Sequence, residues 1–204
     1  MITNYEALDL GRYMKIDRIL RTPAEEIDKQ VRIVAILSDK TEKEVLTMPL
    51  AEYTALAVKA SFLGTKCNHK EMDGSPVEVG GMHLVPTSDF TKITTAQYVD
   101  FQTFARDFPS TIPELLSCFL IPDGKDYNEG YEIADVQKAV REMTLPEALG
   151  LTAFFFKRYN ASIADSLTSL EKEARRNPNM KEEMMRIRKM AETALQTIGV
   201  GLPT

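Results

Sequence analysis

The sequence predicts a mainly α fold, a multi-helix bundle with one small β-hairpin. Three observations carry that reading. Apolar residues recur at helical spacing along most of the 204 residues. Threonines that suit helix starts (Thr41, Thr94 or Thr95, Thr144) stand just before those periodic runs. Only "VEVGGMHLVP", Val77 to Pro86, changes period. It is short, β-branched and broken by Gly80-Gly81, which reads as a hairpin with a two-residue turn.

The elements follow in chain order. "EALDLGRYMKIDRILR" places Leu8, Tyr13, Ile16, Ile19 and Leu20 near one helical face and stops at Thr22-Pro23. The next helix is expected to start there. Thr22 would cap it, Pro23 would occupy the first turn, and Glu25 and Glu26 would face the positive end of its dipole. Ile27, Val31, Val34, Ala35 and Leu37 form its apolar face. Thr41 and Glu44 have capping-box spacing and open a short helical turn. Thr47-Met48-Pro49 ends that turn and begins a helix through about Phe62, expected to bury Leu50, Tyr53, Leu56, Ala57 and Ala60.

Residues 64–76 are polar and read as a loop. After the hairpin, "DFTKITTAQYVDFQTFARDF" returns to helix, with Tyr98, Phe101, Phe104 and Ala105 as its apolar face. "TIPELLSCFLI" is apolar on all sides and is expected to be a short central helix, ended by Pro122. "IADVQKAVREM" is amphipathic. A long helix then starts with Thr144 as cap and Pro146 in its first turn. Asn177-Pro178 separates it from a last helix that Gly199 closes, with residues 200–204 frayed. The expected organisation is residues 1–64 as an N-terminal helical unit, 65–92 as loop and hairpin, 93–176 as a helical core, and 177–204 as a C-terminal helix or arm.

Composition limits the function classes. Hydrophobic residues are 44% and charged residues 27%, ordinary globular usage. A chain of this length buries enough apolar surface to fold without disulfides or metal. Cys67 and Cys118 are expected to be reduced thiols. "MITNYEALDLGRYMK" has no basic region leading into an apolar core, so no signal peptide is expected. "LLSCFLI" and "LTAFFF" are too short to span a membrane. A net charge of −5 argues against general nucleic-acid binding. The basic run from Lys157 to Lys189 reads as a solvated helical face.

Tests for chemistry return little. "CFLIPDGKDYNEGYEIADV", Cys118 to Val136, is acidic enough to suggest a calcium loop. A start at Asp126 puts Gly130 and Tyr131 where a ligand and the invariant glycine belong, and a start at Asp123 puts Lys125 at a ligand position. Both registers fail. Turn chemistry at Asp123-Gly124, a positive φ at Gly130, and Tyr127 and Tyr131 folded over the core account for the loop. Cys67 and His69 form one close pair, with His83 distant, and a structural zinc site needs a fourth ligand that is not apparent. There is no nucleophile elbow, phosphate loop or dinucleotide fingerprint. No catalytic residue, cofactor or metal is expected. Gln97, Asp100 and Gln102 sit among aromatics, where they are expected to pair buried polar groups or meet a partner.

Two sets of stretches carry a resemblance. "EIDKQVRIVAILSDKTEKEVLTMPLAEYTALAVKASFL" resembles the N-terminal part of tail assembly chaperone-like proteins of tailed bacteriophages, with its "TEKEV" turn and "PLAEY" helix. "ITTAQYVDFQTF", "LLSCFLIPDGKDYNEGYEIADVQ" and "LPEALGLTAFFF" resemble proteins of phage structural gene clusters, including those of crAss-like phages. The likeness covers roughly residues 25–160. It implies a non-enzymatic morphogenesis protein that shields a tail or neck component in the host cytoplasm. The alternative is a permanent virion component in a ring, connector or neck, and a third reading is an enzyme without a recognisable motif. The implied partners are other phage structural or tail proteins, or further copies of the chain, without membrane or nucleic acid. The expected contact residues are Val77, Val79, Met82 and Leu84 on the hairpin and Met180, Met184, Met185 and Met190 on the last helix.

Overall fold

The structure, a computed structural model, describes residues 1–87 and 89–176. It is mainly α, with eight α-helices and one three-stranded antiparallel sheet among the described residues. The expected last helix lies outside those residues.

After a 3-10 turn at Tyr5–Ala7, helix α1 runs Leu10–Arg21. It begins later than its apolar spacing predicts, because residues 8–11 are engaged elsewhere. Leu10 N–H donates to the Met143 carbonyl at 2.8 Å, and Leu145 N–H donates to the Leu8 carbonyl at 2.8 Å. Gly11 N–H donates to the Arg141 carbonyl at 2.9 Å. Asp9 then caps the helix by accepting from Arg12 N–H at 2.7 Å.

Thr22 closes α1 rather than opening α2, which spans Glu26–Ser38. Its hydroxyl donates back to the Arg18 carbonyl at 2.8 Å. The following Pro23 disfavours helical backbone at Thr22, so α2 starts behind Glu25 without a side-chain cap. Helix α3, Glu42–Thr47, carries the Thr41–Glu44 capping box. Helix α4, Leu50–Lys59, runs into a 3-10 turn at Ala60–Gly64.

Strands β1, Val77–Val79, and β2, Met82–Pro86, form the expected hairpin. Gly80 and Gly81 have φ of 57° and 73°, which a two-residue turn of this hand requires. The sheet has a third strand, β3, Leu120–Pro122, paired to β2 with Leu84 opposite Pro122. This corrects the expected "TIPELLSCFLI" helix and the role of Pro122 as its stop. Helix α6 is Ile112–Ser117, and the chain turns at Cys118-Phe119 into the strand. A short apolar run fits either state, and pairing with β2 decides it. Pro122 lies in an outer strand, where it costs little pairing.

Helix α5, Thr95–Ala105, sits behind Thr94. Phe101 and Ala105 are buried and Phe104 is half-buried, as expected, whereas Tyr98 is exposed. Helix α7 is Ile133–Val140. Helix α8, Leu145–Arg176, is capped by Thr144, whose hydroxyl and N–H both bond Glu147 Oε2.

The main core is aromatic at its centre. Phe119 lies 5.1 Å from both Phe101 and Phe155 by ring centroids, and Phe101 lies 4.8 Å from Tyr159. Offset and tilted contacts of this kind add to the burial of large apolar area. Leu8, Leu10, Ile16 and Leu37 from before residues 64–76 join the same cluster. A second, small cluster holds Val31, Val34, Ala35 and Val45, with Met48, Tyr53, Leu56 and Ala57 half-buried against it. The 64–76 loop lies on α8, where Gly150 leaves no room for a side chain. A Cβ there would meet the Lys70 carbonyl oxygen at 2.4 Å.

The polar residues of α5 lock these parts together. Gln97 is only 3% exposed. Its Oε1 accepts from Thr94 N–H at 3.2 Å, completing a capping box. Its Nε2 donates to the Cys118 carbonyl at 2.6 Å, at the turn between α6 and β3. Gln97→Leu keeps the volume and strands both groups. It is expected to lower unfolding free energy by about 2–4 kcal/mol, measured by urea denaturation.

Candidate partner-binding surface

The loop after β3 is structural. Asp123 N–H donates to the His83 carbonyl at 3.1 Å, which hangs the loop on the sheet. Tyr127 is buried, and its hydroxyl donates to Asp100 Oδ2 at 2.7 Å. Tyr131 is half-buried, and its hydroxyl accepts from Asn128 N–H at 3.3 Å. Asp126 and Glu129 point to solvent. On the far side of α5, Gln102 Nε2 donates to the Tyr159 hydroxyl at 2.7 Å. All three polar residues noticed on α5 therefore bond across elements inside the protein.

The thiols are placed as packing groups. Cys118 is buried, and its Sγ lies 3.4 Å from the Glu114 carbonyl oxygen. Burial pushes its thiol up from 9.0 to about 12. Burial and then the nearby Glu6 carboxylate push the Cys67 thiol up as well. Neither thiol is poised as a thiolate nucleophile. His83 pairs with Glu78 across the hairpin, Nδ1 to Oε1 at 2.5 Å. No three His, Cys, Asp or Glu side chains gather as a metal-ligand group among the described residues.

A cleft of about 670 Å³ lies between α1 and α7. Its charges are partly paired in place. Arg141 meets Glu114 Oε1 at 2.6 Å, and Arg12 bridges Asp9 and Asp39. No His or Cys lines it. The start of the basic run is exposed, with Lys157 on Glu71 at 3.0 Å and Arg158 over the Phe154 ring at 5.4 Å.

The expected contact residues fare unequally. Val77, Val79 and Met82 are half-buried and pack on the main core. Leu84 is 0% exposed and belongs to that core, which is a correction. Leu84 lies on the face of β2 that packs on the main core, with β1 and β3 on either side of its strand, and nothing in its own sequence neighbourhood signals that packing. Met180, Met184, Met185 and Met190 lie outside the described residues.

A different surface stands out. Leu50 was expected to be buried, yet it is 78% exposed. Leu46 on α3 is 70% exposed and Val58 is 66% exposed. Helix α4 contains seven apolar residues in "LAEYTALAVK" and buries none of them fully. Tyr53, Leu56 and Ala57 lean on the small cluster from one side, and Ala60, just past the helix, packs on the main core. Leu50, Ala51, Thr54, Ala55 and Val58 face outward. The Thr54 hydroxyl donates to the Leu50 carbonyl at 2.8 Å, so it shows mainly its methyl group. At about 100° per residue these five cover roughly 140° of helix surface without a charge. The apolar count of the helix was visible in the sequence. The sequence did not show which of its two apolar sides has a partner.

Comparison with protein-family models, with curated proteins and with solved structures finds no match to this chain.

Two outcomes test this placement. Leu84→Ala is expected to cost about 2–5 kcal/mol of stability, because it opens a core cavity. Leu50→Ala is expected to change stability by no more than about 0.5 kcal/mol, because it touches solvent. Urea midpoints compare them. The second outcome concerns pH. Cys118 holds its proton up to about 12 in the fold but loses it near 9.0 when unfolded. Burial, then the bond to Asp100, raises the Tyr127 hydroxyl above its ordinary 10.0. The unfolded chain therefore binds fewer protons in this range, and stability falls as pH rises. Urea midpoints should decline as pH rises from 9.0 toward about 12, and Cys118→Ala should reduce the start of that decline.

Proposed function

We propose that this chain is a non-enzymatic bacteriophage morphogenesis protein, most nearly a tail assembly chaperone that binds and shields a tail or neck component. The observation that carries the reading is α4. It is an apolar helix on a stable body, with an uncharged outer face and no fully buried residue. A protein that shields apolar surface needs apolar surface of its own, and single exposed apolar residues do not amount to that. The resemblance of residues 26–63, which contain this helix, to chaperone-like phage proteins supports the same reading.

The partner class is other structural or tail proteins of the phage. The action is binding during assembly in the host cytoplasm. Mass spectrometry of purified mature particles tests the proposal. A chaperone is expected to be absent or far below the copy number of tail proteins. Detection at fixed stoichiometry with them would replace it with the permanent virion component.

A further inference from the structure

We propose that a groove along α1 binds an acidic, extended segment of a partner protein, its carboxylates held by Lys15 and Arg18 on one wall and Lys138 on the other. The inference rests on the reading that the chain binds other proteins, and it adds a contact surface separate from α4.

The cleft of about 670 Å³ between α1 and α7 continues past its own walls. A cavity of about 310 Å³ adjoins it toward Thr22 and Pro23 and shares Met14, Arg18 and Ser110 with it. Together they form one groove along α1. Gly11, Met14, Lys15 and Arg18 stand at i, i+3, i+4 and i+7, so a single side of the helix faces it. Ser110, Thr111 and the end of α7 lie opposite. The two walls meet where Gly11 N–H donates to the Arg141 carbonyl at 2.9 Å. Tyr13, Met14 and Pro109 are half-buried and give the groove apolar ground.

Charge identifies the occupant. Arg12, Lys15, Arg18 and Arg21 follow one another at steps of three along α1. The outer two are neutralised, Arg12 by Asp9 and Asp39, and Arg21 by Asp17 at 2.7 Å. The inner two are bare. Neither Lys15 nor Arg18 forms an ion pair among the described residues, and neither has an acid three or four residues away. Each instead has the other at that spacing, where like charges work against the helix. Lys138 across the groove is also without an ion pair among the described residues, and Glu142 is the one carboxylate lining the groove in the same condition. Three bare cations thus face one bare acid, on a chain of net charge −5.

The remaining acids decide which anion fits. Asp9, Asp17, Glu114 and Glu142 stand on the same walls. A nucleic-acid strand carries a charge on every nucleotide and would meet these acids as well as the cations. A polypeptide can set carboxylates at the cations and neutral residues between them. Helix α1 has 12 residues and is about 18 Å long, the reach of five or six extended residues. A segment of that length with two or three carboxylates matches Lys15, Arg18 and Lys138.

Fluorescence anisotropy of the full chain with a labelled hexapeptide of alternating Glu and Leu tests this at low salt, where screening is weakest. The expected result is saturable binding with a Kd below about 1 mM, weakened as salt rises, and none for the matching Lys–Leu hexapeptide. Lys15→Glu, Arg18→Glu and Lys138→Glu should each weaken binding about threefold or more. All three side chains are exposed, so the urea midpoint should hold. Lys92→Glu reverses an exposed cation that does not line the groove and should leave binding unchanged. Absence of binding below about 1 mM overturns the proposal, as do groove reversals that behave like Lys92→Glu. A hexathymidylate that binds more tightly than the acidic peptide overturns it too and assigns the groove to nucleic acid. None of these outcomes alters the particle composition that tests the chaperone reading.

Discussion

One buried amide holds the architecture to a single arrangement. Gln97 completes the cap of α5 and pairs the carbonyl of Cys118, the residue at which α6 gives way to β3. That carbonyl has no helical partner once the chain leaves α6, and no water reaches it. Without the amide the turn would bury an unpaired acceptor, which costs about 1–3 kcal/mol. With it, the turn is fixed against α5. Phe119 then meets Phe101, β3 reaches β2, and Leu84 closes under the sheet. Asp100 and Gln102 repeat the device on Tyr127 and Tyr159. A single helix thus positions the loop, the strand and the long helix through polar contacts, while its aromatic residues supply the burial.

Local chemistry was legible in the sequence, and long-range pairing was not. The Thr41–Glu44 box, the Thr94 and Thr144 caps and the Gly80-Gly81 turn all depend on residues within a few positions, and all are present. Two of the three errors share one cause. Leu8 and Asp9 looked helical until the backbone around Asp9 met Met143 to Leu145. Thr22 looked like a start until Pro23 held it extended. Leu120 to Pro122 looked like helix until β2 supplied a neighbour. The first and the third misreading needed knowledge of a segment far away in the chain; the Thr22 misreading was local.

The surface was misread for a related reason. Periodicity marks which residues of α4 are apolar, and they lie on two sides of the helix. Burial then depends on how many neighbours exist, and the small cluster around Val34 and Val45 provides only one. Leu84 failed in the opposite direction, because the face of β2 that carries it packs on the main core. Exposure in a small helical protein is thus a property of the packing graph more than of the residue, and the apolar patch that matters for binding was hidden in what looked like core.

The loop at 64–76 has a consequence for the identity of the two halves it joins. The main core takes Leu8, Leu10, Ile16 and Leu37 from one side of it and Leu116, Leu145 and Phe155 from the other. The backbone bonds between residues 8–11 and 141–145 cross the same divide. Neither half owns a complete interior. A protease that cuts this loop would not release two bodies. It would leave two complementary fragments that hold one another by the same core and the same backbone bonds, and that would part only on unfolding.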